Sequence, residues 1–265
     1  MRLSVFVNAL AAVLLFGVTG SAGALEDSLP FPPGEKICFS ARWNFIPAGT
    51  GSLEIRSLTE LNGEPARHFV FTARTNSFVD LIYKVRDRYD SYTDLGMTHS
   101  LLYKRRNEGR EKRDIVVQFD WERQEVCYSN FGKTEEPVPV LAGSFDPLSV
   151  YYAFRLHDFG VGDVVRFPVT DGKKSVEGIA RVTARETIEV DGIHYDTYKI
   201  EPSLEHFGGV FKKSPEKKLE IWVTADQLKI PVRMEVEVII GSVVFERTHN
   251  GEYWRKRDAT ENPGC

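Results

Sequence analysis

The stretch Ser144-Phe145-Asp146-Pro147-Leu148-Ser149-Val150-Tyr151-Tyr152-Ala153-Phe154-Arg155-Leu156 is the strongest helix signal in a chain otherwise written for strands. Asp146 supplies a carboxylate that accepts from the free N–H groups of a first turn, and Pro147 fits the first helical position. Gly160 follows as a stop signal. The spacing predicts a helix near 146–157. Its apolar residues Leu148, Val150, Tyr151, Tyr152, Ala153, Phe154 and Leu156 point in almost every direction around the axis. A helix apolar on all sides is buried on all sides, so this one reads as a plug inside whatever surrounds it.

The sequence on either side supplies the wrapping. Before the helix, Ile37, Phe39, Ala41 and Trp43 alternate with Cys38, Ser40 and Arg42, the period-2 pattern of a half-buried strand. Ile46 to Gly51 reads as a turn, and Leu53 and Ile55 continue a second strand. Asn62-Gly63 is a hairpin signal, because both turn positions need positive φ. Further alternating runs cover 68–74, 85–91, 99–106, 114–121 and 124–130; residues 76–83 read as a helical turn or a bulged strand. After the helix, strands are expected at 164–170, 175–188, 195–201, 219–224, 232–238 and 243–247, with Asp171-Gly172, Asp191-Gly192 and Gly241-Ser242 as turns. Sequential antiparallel strands joined by tight turns lie side by side. A sheet of about a dozen strands must curl or close. The expected fold is all-β with one central helix: a curled antiparallel meander, half-barrel or barrel-like, around a buried helix.

The ends of the chain do not belong to that fold. Arg2 precedes an apolar run from Val5 to Val18, and Ala22-Gly23-Ala24 has the small-x-small form of a cleavage site. Residues 1–24 therefore read as a signal peptide, with 25–265 as a single domain in the periplasm. The apolar run is short of the roughly 20 residues a span needs, and no second such run follows, so no transmembrane span is expected in the mature chain. Losing Arg2 moves the formal net charge from −4 to about −5, which gives no support to nucleic-acid binding. Export permits a disulfide. Cys38 and Cys127 both alternate with polar neighbours and are candidates for a pair if their strands meet; closing that loop adds roughly 4 kcal/mol in the chain-entropy model. Two unpaired thiols are the alternative, and Cys265 is the last residue.

Chemistry is sparse in the sequence. The six His residues form no constellation. Metal-ligand spacings, a nucleophile elbow and glycine-rich phosphate loops are all missing, so neither a metal nor a cofactor is expected. Ser149 reads as a packing residue. Lys104, Arg105, Arg106, Arg110, Lys112 and Arg113 bracket a turn at Glu108-Gly109, and Lys84, Arg86 and Arg88 share one face of a strand. These read either as solvated charges or as an anion patch that meets lipid headgroups, phosphorylated sugars or another envelope polymer. Asp87 shares parity with the inward Val85 and Tyr89, and a buried carboxylate needs a partner. The 17 Phe, 10 Tyr and 4 Trp either pack a core or line a cavity able to hold an acyl chain. The candidate ligand-binding set is Asp87, Tyr89, Tyr151, Tyr152, Arg86 and Arg88.

Four groups of residues resemble the DUF3108 family of exported bacterial proteins. They are Pro33-Gly34-Glu35-Lys36 with Ile46-Pro47-Ala48-Gly49-Thr50, and the run Tyr83-Lys84-Val85-Arg86-Asp87-Arg88-Tyr89. The third is Phe145-Asp146-Pro147-Leu148-Ser149 with Tyr151-Tyr152. The last is Leu219-Glu220-Ile221-Trp222-Val223-Thr224 with Ile230-Pro231-Val232-Arg233. They occur in order across nearly all of the mature chain; Ala225-Asp226 departs from the two acidic residues expected after Thr224. The resemblance implies an all-β exported protein and transfers no catalytic residue. The expected function is non-catalytic: a periplasmic protein that binds a lipid, a glycan or a partner protein of the cell envelope. Two rivals are an enzyme acting on an envelope polymer through Asp87, His68 or His99, and a structural component of an envelope assembly.

Overall fold

A computed structural model describes residues 29, 34–203, 218–237 and 241–248. The expected signal peptide and the polar C-terminal tail lie outside the described residues. Before the helical stretch come strands β1 (Lys36–Trp43), β2 (Ile46–Ile55), β3 (Thr59–Leu61), β4 (Glu64–Thr75), β5 (Arg86–Thr93), β6 (Ser100–Asn107), β7 (Arg113–Asp120), β8 (Glu125–Asn130), β9 (Lys133–Thr134) and β10 (Val138–Pro139). After it come β11 (Val164–Thr170), β12 (Ser175–Val190), β13 (Ile193–Pro202), β14 (Leu219–Thr224), β15 (Pro231–Glu237) and β16 (Ser242–Arg247). A four-residue helix, α1 (Ser77–Asp80), sits between β4 and β5, and α2 (Ser149–Arg155) is the helix of the opening stretch.

Every ladder between these strands is antiparallel, in the order β10-β8-β7-β6-β5-β4-β2-β1-β16-β15-β14-β13-β12-β11, with β3 on β4 and β9 on β8. The two halves of the chain meet at β1, which pairs with β2 on one side and β16 on the other. The sheet does not close, since β10 and β11 are its two free ends. It curls far enough for those ends to approach. The β11–β12 turn packs on the inner side of β7 and β8, where a Cβ on Gly172 would stand 2.6 Å from Val117 Cγ2. Lys173 there reaches Glu135 and lies 4.1 Å over the Tyr128 ring. The segment before α2 runs between the two ends, with Phe145 in a parallel bridge to Val169.

The turns follow their residues. Asn62-Gly63 and Asp191-Gly192 both adopt positive φ, as hairpins of this type require. The first turn differs from expectation. Ile46 to Gly51 is part of β2, and the chain reverses at Asn44 and Phe45, with Asn44 at φ +52°. The glycines there serve close approach instead: a Cβ on Gly49 would fall 2.0 Å from the Arg74 carbonyl oxygen of β4.

The helix is shorter than expected and is not enclosed on every side. It spans seven residues, and Pro147 and Leu148 form a turn ahead of it. Asp146 nevertheless satisfies its start, accepting from the N–H groups of Leu148 and Ser149 at 2.8 and 3.0 Å. Ser149, Tyr152, Ala153, Phe154 and Arg155 are buried, while Val150 and Tyr151 stay partly open. Leu148, Tyr152 and Ala153 pack with Phe39, Phe69 and Val117 of the first half of the sheet. Phe154 packs with Val182, Ile200 and Val223 of the second half. The helix is the joint between two apolar clusters.

The proposed cysteine pair does not form. Cys38 is disulfide-bonded and Cys127 is a free thiol. The reason is topological: between β1 and β8 lie β2, β4, β5, β6 and β7. The chain's third cysteine, Cys265, lies outside the described residues.

Candidate functional site

A pocket adjoins the open side of α2. A cavity of about 270 Å³ is lined by Pro147, Val150, Tyr151 and Phe154 from the helical stretch. The facing wall is strand residues, among them Val165 and Phe167 of β11, Ala180 of β12, Ile200 of β13 and Ile221 of β14. Strand alternation explains the wall. Val165 pairs with Ala180 and Phe167 with Gly178, so one face of the β11–β12 ladder turns toward the helix. Ile200 pairs with Ile221, continuing the same face. Gly178 has no side chain to fill the space beside Phe167, and a Cβ there would meet Val169 Cγ2 at 3.0 Å.

The wall is almost wholly hydrocarbon. The Tyr151 hydroxyl is its polar exception, donating to the Lys229 carbonyl at 3.4 Å. Burial raises the Tyr151 phenol well above its usual range, so it stays neutral. An uncharged, apolar space of this kind disfavours ions and carbohydrates, which need their polar groups met, and favours an apolar occupant.

Two buried polar clusters fix the helix against the cavity. The first surrounds Asp146, whose Oδ2 accepts from the hydroxyls of Ser91 at 2.5 Å, Ser100 at 2.7 Å and Ser149 at 2.7 Å. With the two backbone N–H groups on Oδ1, this fully buried carboxylate has five donors. The Ser100 hydroxyl in turn accepts from the Asp146 N–H at 2.8 Å. These contacts tie β5, β6 and the helix start into one unit. At the other end Arg155 donates in bidentate fashion to Glu35, at 2.6 and 3.0 Å, and to the Leu228 carbonyl at 2.9 Å. Its guanidinium lies 5.7 Å over the Tyr152 ring. Ser149 is thus a hydrogen-bonding residue in a closed network.

Of the six candidate ligand residues, only Tyr151 lines the cavity. Tyr152 is fully buried and stacks on Phe69 at 4.1 Å. Tyr89 packs between Phe71 and Tyr103, with Arg105 5.1 Å over its face, and burial raises its phenol. Its hydroxyl donates to Asp87 at 3.2 Å. Arg86 and Arg88 are on the other face of β5. Arg86 pairs with Asp80 at 2.5 Å and Arg88 with Asp90 at 2.7 Å. His68 sits 2.8 Å from Asp90 and stacks on Tyr92, whereas His99 contacts Asp94 and Trp121. Asp87 and His68 alternate onto opposite faces, since Asp87 pairs with Ala73 and His68 with Tyr92. The three acid–base candidates are therefore not brought to one place.

Burial is the largest influence on Asp90 and acts upward. The hydrogen bonds from His68 and Arg88 outweigh it, and the carboxyl is held at about 2. No helix among the described residues is long and apolar enough to cross a membrane. The residues that make the cavity wall were visible in the sequence only as inward-facing strand positions; nothing in the alternation says which of them face a helix and which face a void.

Comparison with solved structures gives distant likenesses only. A β-barrel-like protein of the DUF1849 domain from Brucella abortus matches with a TM-score of 0.49 at 10% identity, over 80% of this chain and 94% of that one. A hypothetical protein from Chlamydia trachomatis matches with a TM-score of 0.34 at 8% identity, over 81% and 85%. A putative lipoprotein from Parabacteroides distasonis matches with a TM-score of 0.30 at 12% identity, over 83% and 95%. No curated protein matches the sequence. The family model for DUF3108, described as a protein of unknown function, matches residues 38–248, from β1 to just past β16, and the chain belongs to that family.

Proposed function

We propose that this is an exported envelope protein that binds a single apolar chain, such as the acyl chain of a lipid, between α2 and the second half of the sheet. The observation that carries the reading is the hydrocarbon wall of the 270 Å³ cavity, open beside Val150 and Tyr151. An apolar cavity of roughly 150 Å³ stays dry and holds a benzene. The larger space here suits a folded or partial hydrocarbon chain, each methylene of which gains about 0.8 kcal/mol on leaving water. Export rests on the three-part pattern of residues 1–24, and the periplasm is the compartment that follows from it. A glycan ligand is the weaker reading, because the wall offers few hydrogen-bonding groups.

The test is displacement of a dansyl-labelled fatty acid, alongside native mass spectrometry of protein recovered from the periplasm. Ala180→Trp places an indole in the cavity and should weaken binding of the probe at least tenfold while leaving the melting temperature close to wild type. Equal probe binding by wild type and Ala180→Trp would refute the site. Probe binding by neither, with no amphiphile in the native spectrum, would refute the function.

A further inference from the structure

The exposed apolar side chains are not scattered. Phe45 and Leu81 are each 85% exposed, and Phe78, Ile82, Tyr83 and Phe131 are exposed with them. All lie at one rim of the sheet. Phe45 is in the β1–β2 turn, and Asn76 ties the start of α1 to that turn's far side by donating from its side chain to the Pro47 carbonyl at 2.7 Å. The next turn along, between β6 and β7, is fastened to the same segment. Arg110 N–H donates to the Lys84 carbonyl at 2.8 Å, and the Arg110 guanidinium donates to the Ile82 carbonyl at 3.3 Å and covers the Tyr83 ring. Phe131 follows, its N–H bonded to the Asp114 carbonyl at the start of β7. At the opposite ends of the strands the described residues expose Leu141, Val161, Val164, Ile193 and Leu228, spread over separate turns.

Strand register brings the cavity to this rim too. Trp43 pairs with Val243, Val243 with Val236, and Val236 with Leu219, which lines the cavity. Two residues beyond the Ile200–Ile221 pair, Pro202 comes level with Leu219; Pro202 pairs with Ala180, and Ala180 with Val165. All of these line the cavity as well. One row of partners thus runs from the apolar β1–β2 turn to the cavity wall.

The charge at the rim selects the occupant. Lys84, Arg110, Lys112, Arg113 and Lys133 are exposed beside the apolar loops, against Glu111 and Asp114, while Arg86–Asp80 and Arg106–Glu108 are paired. This local excess of cations occurs in a chain whose formal net charge is −4. Apolar side chains flanked by cations match a bilayer surface bearing anionic headgroups, where the former enter the acyl boundary and the latter meet phosphate. We infer that the rim formed by Phe45, Phe78, Leu81, Ile82 and the β6–β7 turn docks on an anionic phospholipid membrane, with the cavity facing it. The docking stands on exposure and charge alone; that it loads the cavity rests on the proposed lipid binding.

The test is co-sedimentation with vesicles of phosphatidylethanolamine and phosphatidylglycerol, compared with vesicles of phosphatidylcholine alone. Wild type should bind the anionic vesicles at least tenfold more tightly, and the preference should fall in high salt. Leu81→Asp/Ile82→Asp should lose at least tenfold in affinity, and Lys112→Glu/Arg113→Glu should lose the anionic preference. Both substitute exposed residues, so circular dichroism should be unchanged, and both should still take up the dansyl fatty acid from solution. Ala180→Trp should dock normally, which separates failure of docking from failure of the cavity. Wild-type levels of vesicle binding by Leu81→Asp/Ile82→Asp would overturn the proposal. So would a wild type that ignores vesicles and elutes as a dimer which that variant makes monomeric, since the patch would then be a protein interface.

Discussion

Replacing Asp146 tests whether the buried carboxylate holds the helix in place. In Asp146→Ala, three serine hydroxyls and two backbone N–H groups lose their shared acceptor inside a site with no exposure. Hydrogen bonds to a charged group are each worth roughly 1.5–3 kcal/mol, but five on one carboxylate do not add. Ser100 and Ser149 are already 2.7 Å apart and can bond to each other once the acceptor is gone. The two backbone donors have no such recourse. Breaking a buried charged network from one side costs about 3–5 kcal/mol, and that is the expected loss. In Asp146→Asn the retained oxygen still accepts from Leu148 and Ser149, while the new NH₂ donates to hydroxyls that must turn to accept. That exchange should cost about 1–2 kcal/mol. Urea denaturation followed by tryptophan fluorescence gives both values, and at about 2–4 °C per kcal/mol for a domain this size the alanine variant should melt roughly 6–20 °C lower. If Asp146→Ala loses under about 1 kcal/mol, or asparagine proves as damaging as alanine, the carboxylate is not what anchors the helix.

Acid should probe a different contact. The folded Asp90 carboxyl sits at about 2, below its ordinary value of 3.8, so the bonds from His68 and Arg88 stabilise the fold above pH 3.8 and that contribution disappears as the pH falls toward 2. Asp90→Asn should flatten the acid limb of the stability curve in that window while lowering stability at neutral pH; an unchanged acid limb would show that the pair does not set it. At the β11–β12 turn, Gly172 combines φ +88° with a Cβ position 2.6 Å from Val117 Cγ2. Gly172→Ala should therefore cost about 1–3 kcal/mol by chemical denaturation, whereas Gly192→Ala, with positive φ but open space, should cost less. Equal losses would mean that the turn does not press on β7 and β8.

Much of the strand order could be read from the chain because local signals carry it. Hairpin dipeptides such as Asn62-Gly63 and Asp191-Gly192 fix where the chain reverses, and alternation such as Ile115, Val117 and Phe119 fixes which side chains face inward. Contacts between elements far apart in sequence carry no local signal. Gly49 and Gly51 look like a turn because glycine is common in turns; here they are thinned so that β4 and Phe245 can come close. Cys38 and Cys127 share a polar parity, which says that both face the same way and nothing about the strands between them. Of the candidate binding set, Tyr151 lines the cavity and the charged members lie away from it. Asp87, Arg86 and Arg88 stand out as charges on a strand, yet each is answered by a neighbour within a few residues.

The short helix explains why the cavity lies where it does. A longer rod sealed on all sides would have filled the space inside the sheet. α2 instead stops at Arg155, where Glu35 and the Leu228 carbonyl take its guanidinium, and starts beyond Asp146, where three serines take the carboxylate. The carboxylate draws on β5 and β6, the guanidinium on Glu35 just ahead of β1 and on the β14–β15 turn, and Tyr152 stacks on Phe69 of β4. The opposite side of the helix, Val150 and Tyr151, is left facing β11 to β14 across a gap that Gly178 and Ala180 are too small to fill. The polar anchors and the apolar void are thus two consequences of one arrangement. Loosening the anchor with Asp146→Ala should let the helix shift into the gap, so that variant should lose affinity for the dansyl fatty acid even at temperatures where it remains folded.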